Sequence, residues 1–237
     1  MTICSVPLPN ARTARSGQIS IRAAANVDEL EQLYRFRYRI YVDEMARKQK
    51  YADHRAKRIE DPLDSFATNL IAWDAAGSVV GTVRTNFSRD GDLNGYDAFY
   101  DMDTCSAHPG TTSICTRMMV APAHRRSGLA VQLSVAAYEY GLVRGITHNF
   151  MDCNAHLVRF YQGMGFVQHL PQREHPEYGV VTVMRLDVRD RAHLQAVHSP
   201  FLALLDRTAE FAQRHLPGAL RSQSAVARCA NQMRQTP

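Results

Sequence analysis

Arg125-Arg126-Ser127-Gly128-Leu129-Ala130 sets two guanidiniums and a glycine directly ahead of an apolar helical pattern. Backbone amides at a helix N-terminus, with a glycine that lets a ligand come close, can hold a phosphate or pyrophosphate, and arginines add charge-assisted hydrogen bonds. A second chemical signal lies upstream. In "LYRFRYRIYVDE", residues 33–44, a spacing of 100 degrees per residue puts Arg37 in the middle of the stripe formed by Leu30, Leu33, Tyr34, Ile40 and Tyr41, with Glu44 at its end. Burying a guanidinium unpaired costs several kcal/mol, so Arg37 must meet a carboxylate. Within the chain that means Glu44, Asp61 or Asp64, and the alternative is the carboxylate of a ligand. Arg84, in "GTVR", is a second guanidinium whose fork matches a carboxylate; it reads equally as a strand-end surface residue.

These residues need elements to carry them. "QISIRAA", residues 18–24, alternates as a half-buried strand, and Asn26 with Glu29 forms a capping box for the helix that holds Arg37. Residues 48–62 are polar and read as a loop or short helix. "NLIAWDAAGSVVGTVRTNFS" gives two strands joined at Ala76-Gly77. Residues 90–110 look irregular, "TSICTRMMVAP" is a strand stopped by Pro122, and the helix after Gly128 closes at Gly145. Then come a strand at "HNFMDCN", a short helix at "AHLVRFYQGMGF" ending at Gly163 or Gly165, and a strong strand at "YGVVTVMRLDV". Ser199-Pro200 opens a last helix that Pro217-Gly218 stops. The order is mixed α/β.

Length and composition bound the rest. At 237 residues and 45% hydrophobic, the chain supports one catalytic-sized domain, placed at 18–190, with a disordered lead-in at 1–17 and a C-terminal helical extension at 191–237. A net charge of +5 suits an acidic partner without identifying nucleic acid, and none is expected. Five cysteines without a CxxC pair, and histidines in no metal-binding spacing, indicate neither a disulfide framework nor a metal. The cytoplasm is the simplest compartment. No apolar run reaches the ~18–20 residues that span a bilayer, so no integral membrane segment is expected.

Asn154 and then "FYQGMGF", residues 160–166, follow the Arg-rich loop after a strand, and the two motifs together resemble the GNAT acyltransferase superfamily. The resemblance implies a mixed, mostly antiparallel sheet flanked by helices and splayed between the "CTRMMVAP" and "HNFMDCN" strands. A pantetheine thioester arm would lie in the gap. Met118, Met119 and Val120 would offer backbone groups to pantetheine, residues Arg125 to Ala130 would take the phosphate, and Asn154 and Tyr161 would flank the thioester sulfur. Tyr161 would then protonate the departing thiolate while a backbone amide stabilises the oxyanion; read without the family pattern, it is a core aromatic beside Phe160 and Phe166.

"LYRFRYRIYVDE", "EDPLD" (60–64), "GTVR" and "TRMMV", with "HLQAVHSPF" near the C-terminus, are more specifically similar to the N-acyl amino acid synthases and, more distantly, to the acyl-homoserine-lactone synthases. This implies an N-acyltransferase that moves a long acyl chain, carried on acyl carrier protein, to the amine of an amino acid or similar small molecule. No permanently bound cofactor is expected; acyl carrier protein or acyl-CoA enters as co-substrate. Arg37 and Arg84 would grip the acceptor's carboxylate, unless Arg37 instead locks the "EDPLD" loop by an ion pair. Glu44, Asp61 and Asp64 are the candidate bases, and Arg125, Arg126, Arg144 and Arg159 would surround the donor end. One departure is Ile114, where the lactone synthases carry a glutamate three residues before the arginine of this strand, here Arg117; that speaks against lactone synthesis. The competing expectations are an acetyl-CoA-dependent N-acetyltransferase and a non-catalytic acyl-thioester binding module.

Overall fold

The structure, a computed structural model, describes residues 19–207. The lead-in expected at 1–17 and most of the last predicted helix lie outside the described residues. Strand β1 (Ser20–Ala23) leads into helix α1 (Val27–Tyr38). Asn26 caps α1 by accepting the Glu29 N–H, while Glu29 accepts from Ala25 N and from the Arg22 guanidinium, so the capping box forms one residue displaced.

After Tyr38 the helix widens into a π turn, Arg39–Glu44. The change of pitch corrects the sequence reading: Glu44 leaves the inward stripe and stands exposed at a cavity mouth. Residues 48–62 hold a small hairpin of β2 (Ala52–Asp53) and β3 (Arg58–Ile59), rather than a loop or helix, because Ile59 is wholly buried against α1. A 3-10 turn at Pro62–Phe66 follows. β4 (Thr68–Trp73) and β5 (Val79–Phe87) make the expected hairpin. The segment at 90–110 contains the short helix α2 (Tyr96–Phe99) and carries Tyr100 and Met102, both fully buried. Then come β6 (Thr112–Val120), α3 (Leu129–Val143), β7 (His148–Cys153), α4 (Val158–Met164), β8 (Val167–Gln168), β9 (Arg173–His175), β10 (Gly179–Asp187) and α5 (Arg191–Ala196).

One sheet runs β1-β4-β5-β6-β7-β10-β8, with β9 on β10. Every strand pair in it is antiparallel except β6–β7. Helix α3 buries Leu129, Leu133 and Ala137 on Leu70, Val80 and Val83 of one face. Gly81 permits the close approach, since a Cβ there would stand 3.0 Å from Leu133 Cδ1 and 3.1 Å from the Met119 carbonyl. On the other face α1 packs Leu33, Phe36 and Ile40 against Ile71, Trp73 and Val79. Each such side chain contributes about 1.5–3 kcal/mol of burial. The stretch after 190 is not a separate appendage as far as it is described: Leu194, Phe201, Leu204 and Leu205 enter the same core as Tyr161 and Phe166. Ser199 fixes this segment by donating to the Met164 carbonyl at 2.6 Å.

Candidate active site

Two features open the sheet at its centre. β6 and β7 pair over only three positions, the last being Ile114 with Phe150. Beyond them β6 carries a bulge, with Arg117 and Met118 both opposite Val83 and Arg117 in the left-handed region at φ 54°. The strands part, and a cavity of about 480 Å³ fills the gap. Cys115 to Val120 line one side and Met151 to Asn154 the other; the inner end is apolar, closed by Tyr138, Ile146, Leu186, Val188 and Phe201. Tyr138 and Phe201 stack there, with ring centroids 4.3 Å apart.

At the mouth, Gly128 takes φ 80° and turns the loop into α3, whose first amides receive no side-chain cap. The turn leaves orphan donors at the positive end of a fifteen-residue helix. Arg126 and Ser127 are exposed, Leu129 is buried in the core beneath, and Ala130 is half-buried. Arg125 pairs with Glu44 at 2.6 Å and donates to the Val120 carbonyl, so helix α1's π turn is tied to the loop. Arg144 is a correction: it caps the far end of α3, about 22 Å away at 1.5 Å per residue, where it pairs with Asp90 and covers Phe87.

Met118, Met119 and Val120 line the cavity from β6, and Asn154 and Tyr161 line it from the opposite side. Asn154 donates to the carbonyls of Tyr178 and Val180 and accepts from Arg47. Tyr161 stands edge-on to Phe160 and Phe166, and its hydroxyl meets no hydrogen-bond partner among the described residues. Burial, reinforced by nearby Cys153, Cys115 and Asp152, pushes its phenol well up, so it is a proton donor at neutral pH. Burial likewise pushes Cys153 to about 12 and raises Cys115, which keeps both as thiols and makes them poor nucleophiles.

Behind the cavity lies a buried charge cluster. Arg37, wholly buried, donates to Asp64 at 2.8 Å and to Asn69 at 2.7 Å. Arg84 binds Asp61 at 2.5 Å and reaches Asp64 at 3.3 Å, with Thr116 on its Nε. Arg117 clasps Asp61 through Nε and Nη2, at 3.0 and 2.7 Å, and donates to Gln49. Three guanidiniums meet two buried carboxylates, and Glu177, 3.9 Å from Arg117, is the third acid at the edge of the cluster. Burial alone would raise both aspartates, but Arg84 and Arg117 hold Asp61, and Arg37 and Arg84 hold Asp64, below the usual carboxylate range. They are poor bases. Neither Arg37 nor Arg84 lines the cavity. The arrangement found is the internal ion pair that the sequence reading left open beside a substrate role.

Two residues that face the cavity were missed. Arg117 is the member of the buried cluster whose guanidinium reaches it, and it also lines a smaller cavity of about 230 Å³ with Lys50, Tyr51, Tyr96, His175 and Glu177. Asp152, on β7 two residues beyond the last β6–β7 pair, opens into the main cavity. It accepts from the Tyr100 hydroxyl at 2.5 Å, and burial raises it above the ordinary carboxylate range despite that bond and nearby His175. A signal existed for it: Asp152 is the one acid in "HNFMDC", an otherwise largely buried interior strand. Among the described residues no group of His, Cys, Asp and Glu could hold a metal ion, and no helix is long and apolar enough to cross a membrane.

The fold matches that of FeeM, an N-acyl amino acid synthase from uncultured soil microbes, at TM-score 0.60 and 16% identity, over 80% of this chain and 98% of that one. TofI, solved with an inhibitor and MTA, matches at 0.60 and 16% over 78% and 98%. BjaI, a CoA-dependent acyl-homoserine lactone synthase solved with SAM and isopentyl-CoA, matches at 0.57 and 20% over 73% and 83%. No curated protein sequence matches. The family model of N-acyl amino acid synthase FeeM matches residues 32–187, from the first helix through the last long strand, and the chain accordingly belongs to that family as an enzyme that transfers an acyl group to an amine.

Proposed function

We propose that the donor is a long-chain acyl thioester on the phosphopantetheine of acyl carrier protein, and the acceptor the α-amine of an amino acid. The observation that carries this reading is the parting of β6 from β7 over a cavity that runs from the Arg125 loop to the apolar end at Phe201. Pantetheine lies along Met118 to Val120, its phosphate on the orphan amides between Gly128 and Ala130 with Arg126 beside them. An acyl chain continues past Tyr161 toward Tyr138 and Phe201, a depth an acetyl group leaves empty. With Arg125 already paired to Glu44, the mouth has less positive charge to spare for the several phosphates of a nucleotide thioester than for a single phosphate. Exposed Arg126 and Arg159 suit an acidic carrier.

Chemistry needs no covalent enzyme intermediate. The amine attacks the thioester carbonyl, a β6 amide at the bulge holds the oxyanion, and Tyr161 protonates the leaving thiolate. Arg117, beside Lys50 in the smaller cavity, takes the acceptor's carboxylate; Arg37 and Arg84 act from behind by fixing the turn that carries Asp61, which orients Arg117. The test is thiol release and product mass with purified protein, supplied with acyl carrier protein or CoA thioesters of graded length and a panel of amino acids. Long-chain amides formed preferentially from the carrier are expected. Acetyl-CoA turnover that ignores the carrier overturns the reading.

A further inference from the structure

The reaction as proposed lacks a base. An amino acid's ammonium must lose a proton before it can attack, and of the acids near the site Asp61 and Asp64 are held by guanidiniums, Glu44 is taken by Arg125 at the rim, and Glu177 is held between the Lys50 amide and Arg117. Asp152 is differently placed. It stands on β7 just past the point where the strands part, opening onto the same cavity as Tyr161, with no arginine within ion-pair distance among the described residues. Its Oδ1 is fixed by the Tyr100 hydroxyl, and apart from its own backbone amide the carboxylate takes no further hydrogen bond among the described residues.

The surroundings lead from the smaller cavity to this carboxylate. Tyr96 and Arg117 line both cavities, so an acceptor whose carboxylate rests on Arg117 has its amine directed into the larger one. The groups facing Asp152 are Tyr96 and Tyr100 from the α2 segment, His175 from β9, Arg117 from β6, Tyr161 from α4 and its own neighbour Cys153. His175 is fixed as a tautomer: Nδ1 accepts from Glu177 N at 3.1 Å, so Nε2 carries the proton toward the Tyr96 hydroxyl at 3.3 Å. Burial lowers its pKa, which keeps it neutral and leaves Asp152 as the acid that can take a proton here.

We propose that Asp152 is the general base of the acyl transfer, accepting the ammonium proton of the amino acid on its carboxylate. This rests on the reading of the reaction given above. Of the three ammonium protons, one passes to Asp152 and on to solvent. The nitrogen lone pair forms the N–C bond, the C–S bond breaks, and a second proton reaches the thiolate through Tyr161. The third remains on the amide. A carboxylate raised by its surroundings is better matched to this task than the lowered Asp61 and Asp64.

The test is Asp152→Asn in the full chain, with the donor and acceptor that the wild type turns over. Asn keeps an acceptor for Tyr100, and kcat at pH 7 is expected to fall by about 10²–10⁴-fold with donor affinity and melting temperature not lowered. The deficit shrinks as pH rises toward and past the pKa of the acceptor's own ammonium, where the lone pair is free without help. A kcat within threefold of wild type at pH 7, or an equal deficit at every pH, overturns the assignment. Asp152→Glu displaces the carboxylate by one methylene and is expected to lose about 10²-fold in kcat, so it serves where the Asn variant does not fold; wild-type rate in it also overturns the assignment. A wild type that acylates no amine overturns the reading of the reaction, whereas an active wild type matched by Asp152→Asn overturns only the base.

Discussion

Arg37 and Asp64 meet at 2.8 Å across 27 residues of chain, and neither side chain is exposed to more than a trace of water. The pair joins helix α1 to the turn that carries Asp61, and through Asp61 to Arg117 at the cavity. Removing one member strands the other as a buried charge, so Arg37→Ala is expected to cost about 3–5 kcal/mol in urea denaturation. Arg37→Lys recovers only part, because one ammonium cannot reproduce the fork that reaches both Asp64 and Asn69.

The same pair separates two uses of arginine. Hydrogen bonds to charged groups contribute about 1.5–3 kcal/mol, so Arg117→Lys is expected to raise the acceptor KM by roughly 10–150-fold with donor KM unchanged. Arg37→Lys, lining neither cavity, leaves the acceptor KM of the folded fraction near wild type. Steady-state kinetics with both substrates varied distinguish the two.

Acid stability follows from Asp61 and Asp64. Both have folded pKa values below the unfolded value of about 3.9, so the fold binds fewer protons than the unfolded chain as pH falls. Their contribution is complete above that value and is lost as pH drops through it toward the lowered folded pKa. Thermal melts between pH 6 and 2.5 are expected to show a steep loss of stability below about pH 4. Asp64→Asn flattens that slope while lowering stability at pH 7.

Tyr161→Phe removes only the hydroxyl that faces the cavity. A thiolate is a fairly good leaving group even unaided, so the loss in kcat is expected at about 10²-fold, the low end of acid catalysis, with KM for the donor unchanged. Single-turnover thiol release measures it.

What the sequence made legible was local. The strands β4, β5 and β6 and helix α3 follow from alternation and a 3.6-residue stripe, and the loop at Gly128 from its glycine and flanking pattern. What it hid was non-local or a change of pitch. Glu44 left its expected face because the helix widens after Tyr38, a π turn that no residue between 39 and 44 announces. Arg37 was visible as an inward charge, yet its partner was open until Asp64 and Asn69 were brought against it from the "EDPLD" turn and β4. Arg117 reaches the cavity only through the bulge at φ 54°, and Asp152 becomes a cavity acid only because β6 leaves β7 after Phe150.

The apolar end of the cavity sets how much acyl chain can be buried. Gly141 lies in the last turn of α3, in helical backbone where alanine is preferred to glycine, and it lines the cavity. A Cβ there would meet only Ile146, at an ordinary 3.8 Å, and the cavity that Gly141 borders is the space open to a longer side chain. Gly141→Leu is therefore expected to keep or raise the melting temperature while shortening the preferred acyl chain. Each methylene denied burial forfeits about 0.8 kcal/mol, or about fourfold in kcat/KM. A donor series from four to sixteen carbons checks it: short donors hold their rates and long ones fall progressively, whereas a uniform loss across the series places the acyl chain elsewhere.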